Sequence, residues 1–138
     1  MYELIYDENT FGITERSLKM LRNTLAKRIN HRIAVVEVPT DEICCGFLIL
    51  DKDAQEAVFT GDGFRTDNGG EGGAGYKSAK ALLNVLGIRP IHWVNVVHTD
   101  VIYQKPYGAL LLLVDEVQKI LKARYYVKPA DKALSYLR

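Results

Sequence analysis

Apolar residues recur at helical spacing in three separate stretches of the chain, and short strand-like runs lie between them. Residues 2–6 form a short strand candidate. Ile13-Thr14-Glu15 opens the first helical pattern: Thr14 is placed to accept the free amide hydrogens, and Ile13 to pack on Leu18. Leu18, Leu21, Leu25 and Ile29 then share one stripe, with the basic residues elsewhere. Residues 33–38 are β-branched and stop at Pro39, which predicts a strand. Residues 43–51 and 55–60 predict a hairpin joined through Asp51-Lys52-Asp53-Ala54.

A glycine-rich segment follows, and a second helix is expected from about Tyr76 to Leu86. Ala79, Leu82, Leu83 and Leu86 make its buried stripe, and Gly87 ends it. Residues 91–98 are apolar on both faces, as in a central strand covered on both sides. Pro106 suits the first turn of a third helix, where Leu110, Leu113, Val114, Val117, Ile120 and Leu121 repeat at helical spacing. Tyr125-Tyr126-Val127 reads as a short edge strand. The polar tail after it carries Leu134, Tyr136 and Leu137, which suit docking on a partner. The pattern predicts one α+β domain over residues 1–138, a mixed β-sheet of about five strands with three helices, in the order β-α-β-β-β-α-β-α.

Length agrees: 138 residues are enough for one core without staples. No apolar run approaches the ~18 residues that a membrane span needs, and no membrane association is expected. The first residues lack a basic start and an apolar stretch, so no signal peptide is expected. Cys44 and Cys45 are neighbours on a predicted strand and point to opposite faces, so they read as reduced thiols suited to the cytoplasm.

The formal net charge is +1, but it is segregated. Residues 15–32 hold six bases (Arg16, Lys19, Arg22, Lys27, Arg28, Arg32) and one acid, whereas residues 37–71 hold nine acids against Lys52 and Arg65. Such halves can attract one another between subunits, which points to a homo-oligomer, or frame an anion site. The acidic middle would repel phosphates, so nucleic acid is not expected as a partner.

Residues 61–75 contain seven of the eleven glycines. Gly70, Gly72 and Gly75 satisfy G-x-G-x-x-G, and Asp100 ends the following strand, where a dinucleotide fold places its ribose-binding acid. Two departures stand against that fold: about nine residues separate Thr60 from Gly70, and Asp100 lies further from Gly75 than the usual spacing. A G-x-x-x-x-G-K-[ST] loop fails because Tyr76 sits between Gly75 and Lys77-Ser78. That extra residue turns the lysine by about 100° around the helix.

What remains is a glycine-rich turn delivering backbone to a helix start that carries Lys77, Ser78 and Lys80, a competent anion site. Ordering a floppy fifteen-residue loop would cost on the order of 15–30 kcal/mol, more than the ~12 kcal/mol of a nanomolar ligand. Packing must therefore hold the loop beforehand, with Phe64 and Tyr76 as anchors and Arg65 as a second charge.

His92 and His98 share a side of a regular strand, too far apart at ~3.3 Å per residue to hold one ion. His98 and Asp100 lie at the strand end, where α/β ligands collect. No nucleophile motif, catalytic residue or metal site is evident, and no cofactor is indicated. The expectation is therefore a small cytoplasmic protein that binds a phosphate-bearing, nucleotide-like molecule without transforming it. Gly72, Gly73 and Gly75 would supply amides, Arg65, Lys77 and Ser78 would hold the anion, Phe64 or Tyr76 would stack, and His98 and Asp100 would line the site. The alternatives are a metal-assisted hydrolase or phosphoesterase using His98 and Asp100, and a homo-oligomeric scaffold.

Overall fold

A computed structural model describes residues 2–98 and 106–129. The strands are β1 (Glu3–Ile5), β2 (Ile33–Pro39), β3 (Cys44–Asp51), β4 (Glu56–Phe59), β5 (Phe64–Arg65) and β6 (Ile91–His92). The helices are α1 (Thr14–Ala26), α2 (Gly70–Val85) and α3 (Pro106–Ile120). The sheet runs β1-β4-β3-β2-β6, with β5 paired to β3. β2, β3 and β4 are an antiparallel meander, while β1 joins β4 and β6 joins β2 in parallel. The α+β order expected from the sequence is the one observed, with β5 as a short addition.

Alternation along β2 and β3 explains the two cores. Ile33, Val35, Cys45, Phe47 and Ile49 face α1 and α2, whose Leu21, Leu25, Ala79 and Leu83 are fully buried against them. Val36, Val38, Leu48 and Leu50 face the opposite way onto Leu110, Leu113, Val114 and Val117 of α3. A sheet covered on both faces needs strands that are apolar throughout. That requirement makes the one acid on the α1/α2 face of β2, Glu37, conspicuous.

Four local expectations are corrected. Thr14 does not cap α1; its hydroxyl donates to the Gly63 carbonyl at 2.6 Å, and Ile13, expected to pack on Leu18, is 41% exposed. α2 starts six residues before Tyr76, so Gly70, Gly72, Gly73 and Gly75, expected in a loop, are inside the helix. Residues 123–125 form a turn of 3-10 helix, and only Val127 bridges, to Ile33. Residues 91–98 are not a central strand: β6 lies at the sheet edge and pairs over Ile91 and His92 alone.

Beyond His92 the edge bulges. Trp93 donates its amide to the Glu37 carbonyl at 2.9 Å, and Val97 donates to the Pro39 carbonyl at 2.8 Å. These acceptors are two residues apart on β2, and the donors are four apart on the edge. Residues 94–96 therefore loop out with two residues more than the ladder needs, leaving Val94 88% exposed. The apolar reading of this run was sound for Trp93 and Val97, which pack on the α3 side. Their neighbours had no partner strand to cover them.

Candidate functional site

The glycine-rich segment is a packing device. A Cβ on Gly72 would meet the Arg65 side chain at 2.7 Å; one on Gly73 would overlap the Asn68 backbone, and one on Gly75 the Thr14 methyl. Glycine within a helix costs about 0.5–1 kcal/mol relative to alanine, and here it lets α2 settle against α1 and β5. The amide of Gly73 donates to the Gly69 carbonyl at 2.8 Å, and those of residues 75–78 fall inside the helix rather than at its open end. Phe64 is fully buried against Phe47, so its ring has no face to offer a ligand. Arg65 is engaged by Asp67 at 2.6 Å, while Lys77 and Ser78 lie exposed on the outer side of α2. Of the residues expected around the anion, Tyr76 alone joins a polar cluster.

That cluster is built on Glu37. Its side chain is 11% exposed and receives three donors. Tyr76 donates its hydroxyl to Oε1 at 2.7 Å, the Lys80 ammonium reaches Oε1 at 3.4 Å, and His92 Nδ1 lies 3.0 Å from Oε2. Each partner has a local reason for its place. Tyr76 and Lys80 are one turn apart on the same face of α2, and His92 is paired with Glu37 in the parallel register of β2 and β6. Lys80 also sits over the Tyr76 ring, 5.6 Å from its centre.

Exposure divides the cluster. Glu37 is inside, while His92 is 62% exposed and Lys80 34% exposed. With Nδ1 donating to Glu37, His92 turns Nε2 outward. Burial, then the hydrogen bond to Glu37, pushes the Tyr76 phenol well above its usual range, so it stays a donor. Burial, then the nearby Glu37 charge, pushes the Cys45 thiol up to about 12. Burial, then Asp41, pushes Cys44 up to about 11, so neither thiol is a ready nucleophile.

The bulge places open space beside His92. A cavity of about 270 Å³ is lined by Ile91, His92, Trp93, Val94, Asn95 and Ile120. His98 belongs to a second cavity of about 350 Å³ across the bulge, with Asn95, Leu112 and Glu116. Trp93 lines both. Asp100, expected beside His98, lies outside the described residues. Among the described residues no group of three or more histidines, cysteines or acids is placed to hold a metal ion, and no helix is long and apolar enough to cross a membrane.

Sequence reasoning missed Glu37 and left His92 out of the expected site. The usable signal was a single acid inside the otherwise apolar run Ile33-Ala-Val-Val-Glu-Val38. A buried carboxylate there requires donors. Comparison with protein-family models, with curated proteins and with solved structures finds no match for the chain.

Proposed function

We propose that this protein binds a small phosphate-bearing molecule at the rim where Lys80 and His92 emerge from the Glu37 cluster. The observation that carries the reading is a buried carboxylate holding two exposed nitrogen groups beside an open, tryptophan-lined cavity. Lys80 has donors left after its contact with Glu37, and a protonated His92 offers Nε2–H outward. Lys77 adds positive charge one turn away on α2. Trp93 supplies an aromatic wall for an organic moiety such as a nucleobase. The anion site expected from the sequence thus moves along α2, from its first turn to the Tyr76–Lys80 face.

Isothermal titration with inorganic phosphate and a panel of nucleoside monophosphates tests the reading. Binding is expected in the parent and weakened at least about 10-fold in both Lys80→Ala and His92→Ala. That loss corresponds to one charge-assisted hydrogen bond at ~1.5–3 kcal/mol. Binding that survives both substitutions, or none in the parent, defeats it. The Glu37–His92 contact also favours a second reading, because a carboxylate-oriented imidazole with a free Nε2 is the arrangement of a general base. Phosphoester turnover that disappears in His92→Ala would establish that reading over simple binding.

A further inference from the structure

The net charge of +1 hides a local imbalance, because seven of the nine acids in residues 37–71 already have a polar partner, exposed or buried, whereas the bases of α1 mostly do not. Glu37 holds Lys80 and His92. Asp51 and Glu56 hold Arg28, Asp53 holds Arg32, and Asp67 holds Arg65. Asp41 accepts the amides of Ile43 and Cys44, and Asp62 accepts the Gly12 amide and the Thr40 hydroxyl. That leaves Glu42 and Glu71 of the nine acids without such a partner, both exposed.

The bases of α1 have no such compensation. Lys19, Arg22 and Lys27 are exposed and make no ion pair with a described residue, and the exposed Arg16 donates to the Asn9 carbonyl at 3.1 Å. Arg16, Lys19, Asn23 and Lys27 follow one another at spacings of three, four and four, which keeps them on one side of the helix over roughly 16 Å. Beside them runs a groove made of two adjoining cavities of about 270 and 390 Å³ that share Met20 and Asn23. Lys19 and Arg16 stand on one part of its rim, and Lys27 on the other, where the buried Arg28 is already paired with Glu56. Asp7, at one end, already accepts the Asn9 amide.

From this arrangement we infer that the outer face of α1 is a docking surface for the phosphate backbone of a nucleic acid. Its apolar content decides between polyanions. A partner protein needs buried aromatic or aliphatic anchors at the centre of its interface, and a membrane surface needs inserted Trp, Phe or Leu. Along α1 no large hydrophobic residue is exposed; Ile13, just before it, is the nearest. A face that carries Arg16, Lys19 and Lys27 without such anchors draws nearly all of its affinity from charge, which is the character of backbone binding. Its length spans on the order of five phosphates of one strand, at roughly 3.4 Å of axis each. Of the nine acids weighed against nucleic acid, five are paired with a base and none stands on α1.

Fluorescence anisotropy with a labelled mixed-sequence 20-mer, single-stranded and duplex, tests this in the full chain. Three phosphate contacts predict a log–log salt slope of about −2 for the single strand and about −2.7 for the duplex. Affinity should then fall roughly 20- to 40-fold between 50 and 200 mM salt. The triple variant Arg16→Glu, Lys19→Glu, Lys27→Glu changes exposed residues that hold no ion pair with a described residue, so it should keep the parent's circular dichroism and thermal midpoint while losing the binding. The triple Gln variant should bind with a slope near zero. Absence of binding at 50 mM salt, undiminished binding by the folded charge-reversed variant, or equal affinity for polyglutamate would each overturn the inference.

Discussion

Two carboxylate–histidine pairs stand at opposite ends of β2, and their surroundings differ. At the start of the strand, Ile33 is paired with Asp51, whose side chain is fully buried. Asp51 Oδ2 lies 2.9 Å from Arg28 Nε and 2.6 Å from His31 Nδ1, and Oδ1 accepts the Ala54 amide at 2.9 Å. Arg28 is itself buried, donates to the Thr24 carbonyl, and reaches Glu56 at 2.6 Å. This group ties the end of α1 to the β3–β4 hairpin.

Near the end of β2, Glu37 has no buried arginine. Its compensating groups are Tyr76 and two side chains that lead to solvent beside a bulged edge and a cavity. A carboxylate–histidine pair is a staple where the counter-charge is buried, and leaves its partners open to solvent where it is not. Burial of the partner, rather than the presence of a histidine, separates the roles.

Breaking the staple should have the largest effect. Arg28→Met removes the buried counter-charge of Asp51 and should cost about 3–5 kcal/mol of stability, read from urea denaturation, with ligand affinity unchanged in the remaining folded protein. Glu37→Gln leaves Lys80 and His92 able to hydrate, so it should cost less, on the order of 1–3 kcal/mol, while weakening ligand binding about 10-fold. If Glu37→Gln proved as destabilising as Arg28→Met, the contrast between the two ends would fail.

The helices provide a smaller contrast. Gly73→Ala pushes a methyl into the Asn68 backbone and should cost about 1–3 kcal/mol. Gly108→Ala on α3 meets nothing within 4 Å and should gain roughly 0.5–1 kcal/mol, both measured by chemical denaturation. The smallest effect lies at the exposed Arg32–Asp53 pair beside the staple. Hydrogen bonds from the Arg32 side chain and amide hold the Asp53 carboxyl at about 2. Its contribution is therefore complete above the unfolded value of about 3.9 and is lost as pH falls towards 2. The difference in midpoint between the parent and Asp53→Asn should accordingly shrink to nothing across that range.

The fold was legible where local pattern and tertiary burial agree. The stripe of Leu21 and Leu25, the hairpin through residues 51–54, and Leu110, Leu113, Val114 and Val117 are each buried as their spacing predicts. The glycine-rich stretch misled because density of glycine looks alike for a ligand cradle and for close packing; only the positions of Thr14, Arg65 and Asn68 separate the two. The site itself was hidden by distance. Glu37 draws partners 39, 43 and 55 residues away, and the bulge that opens the cavity leaves no mark in an apolar run.

Nitrogen-15 spectra of the histidine rings, recorded while a nucleoside monophosphate is titrated, address the central claim most directly. His92 should begin with its proton on Nδ1 and shift on ligand addition together with Lys80, and Glu37→Gln should abolish both features. A His92 ring carrying its proton on Nε2, or ligand-induced shifts confined to residues outside the Glu37 cluster, would contradict it.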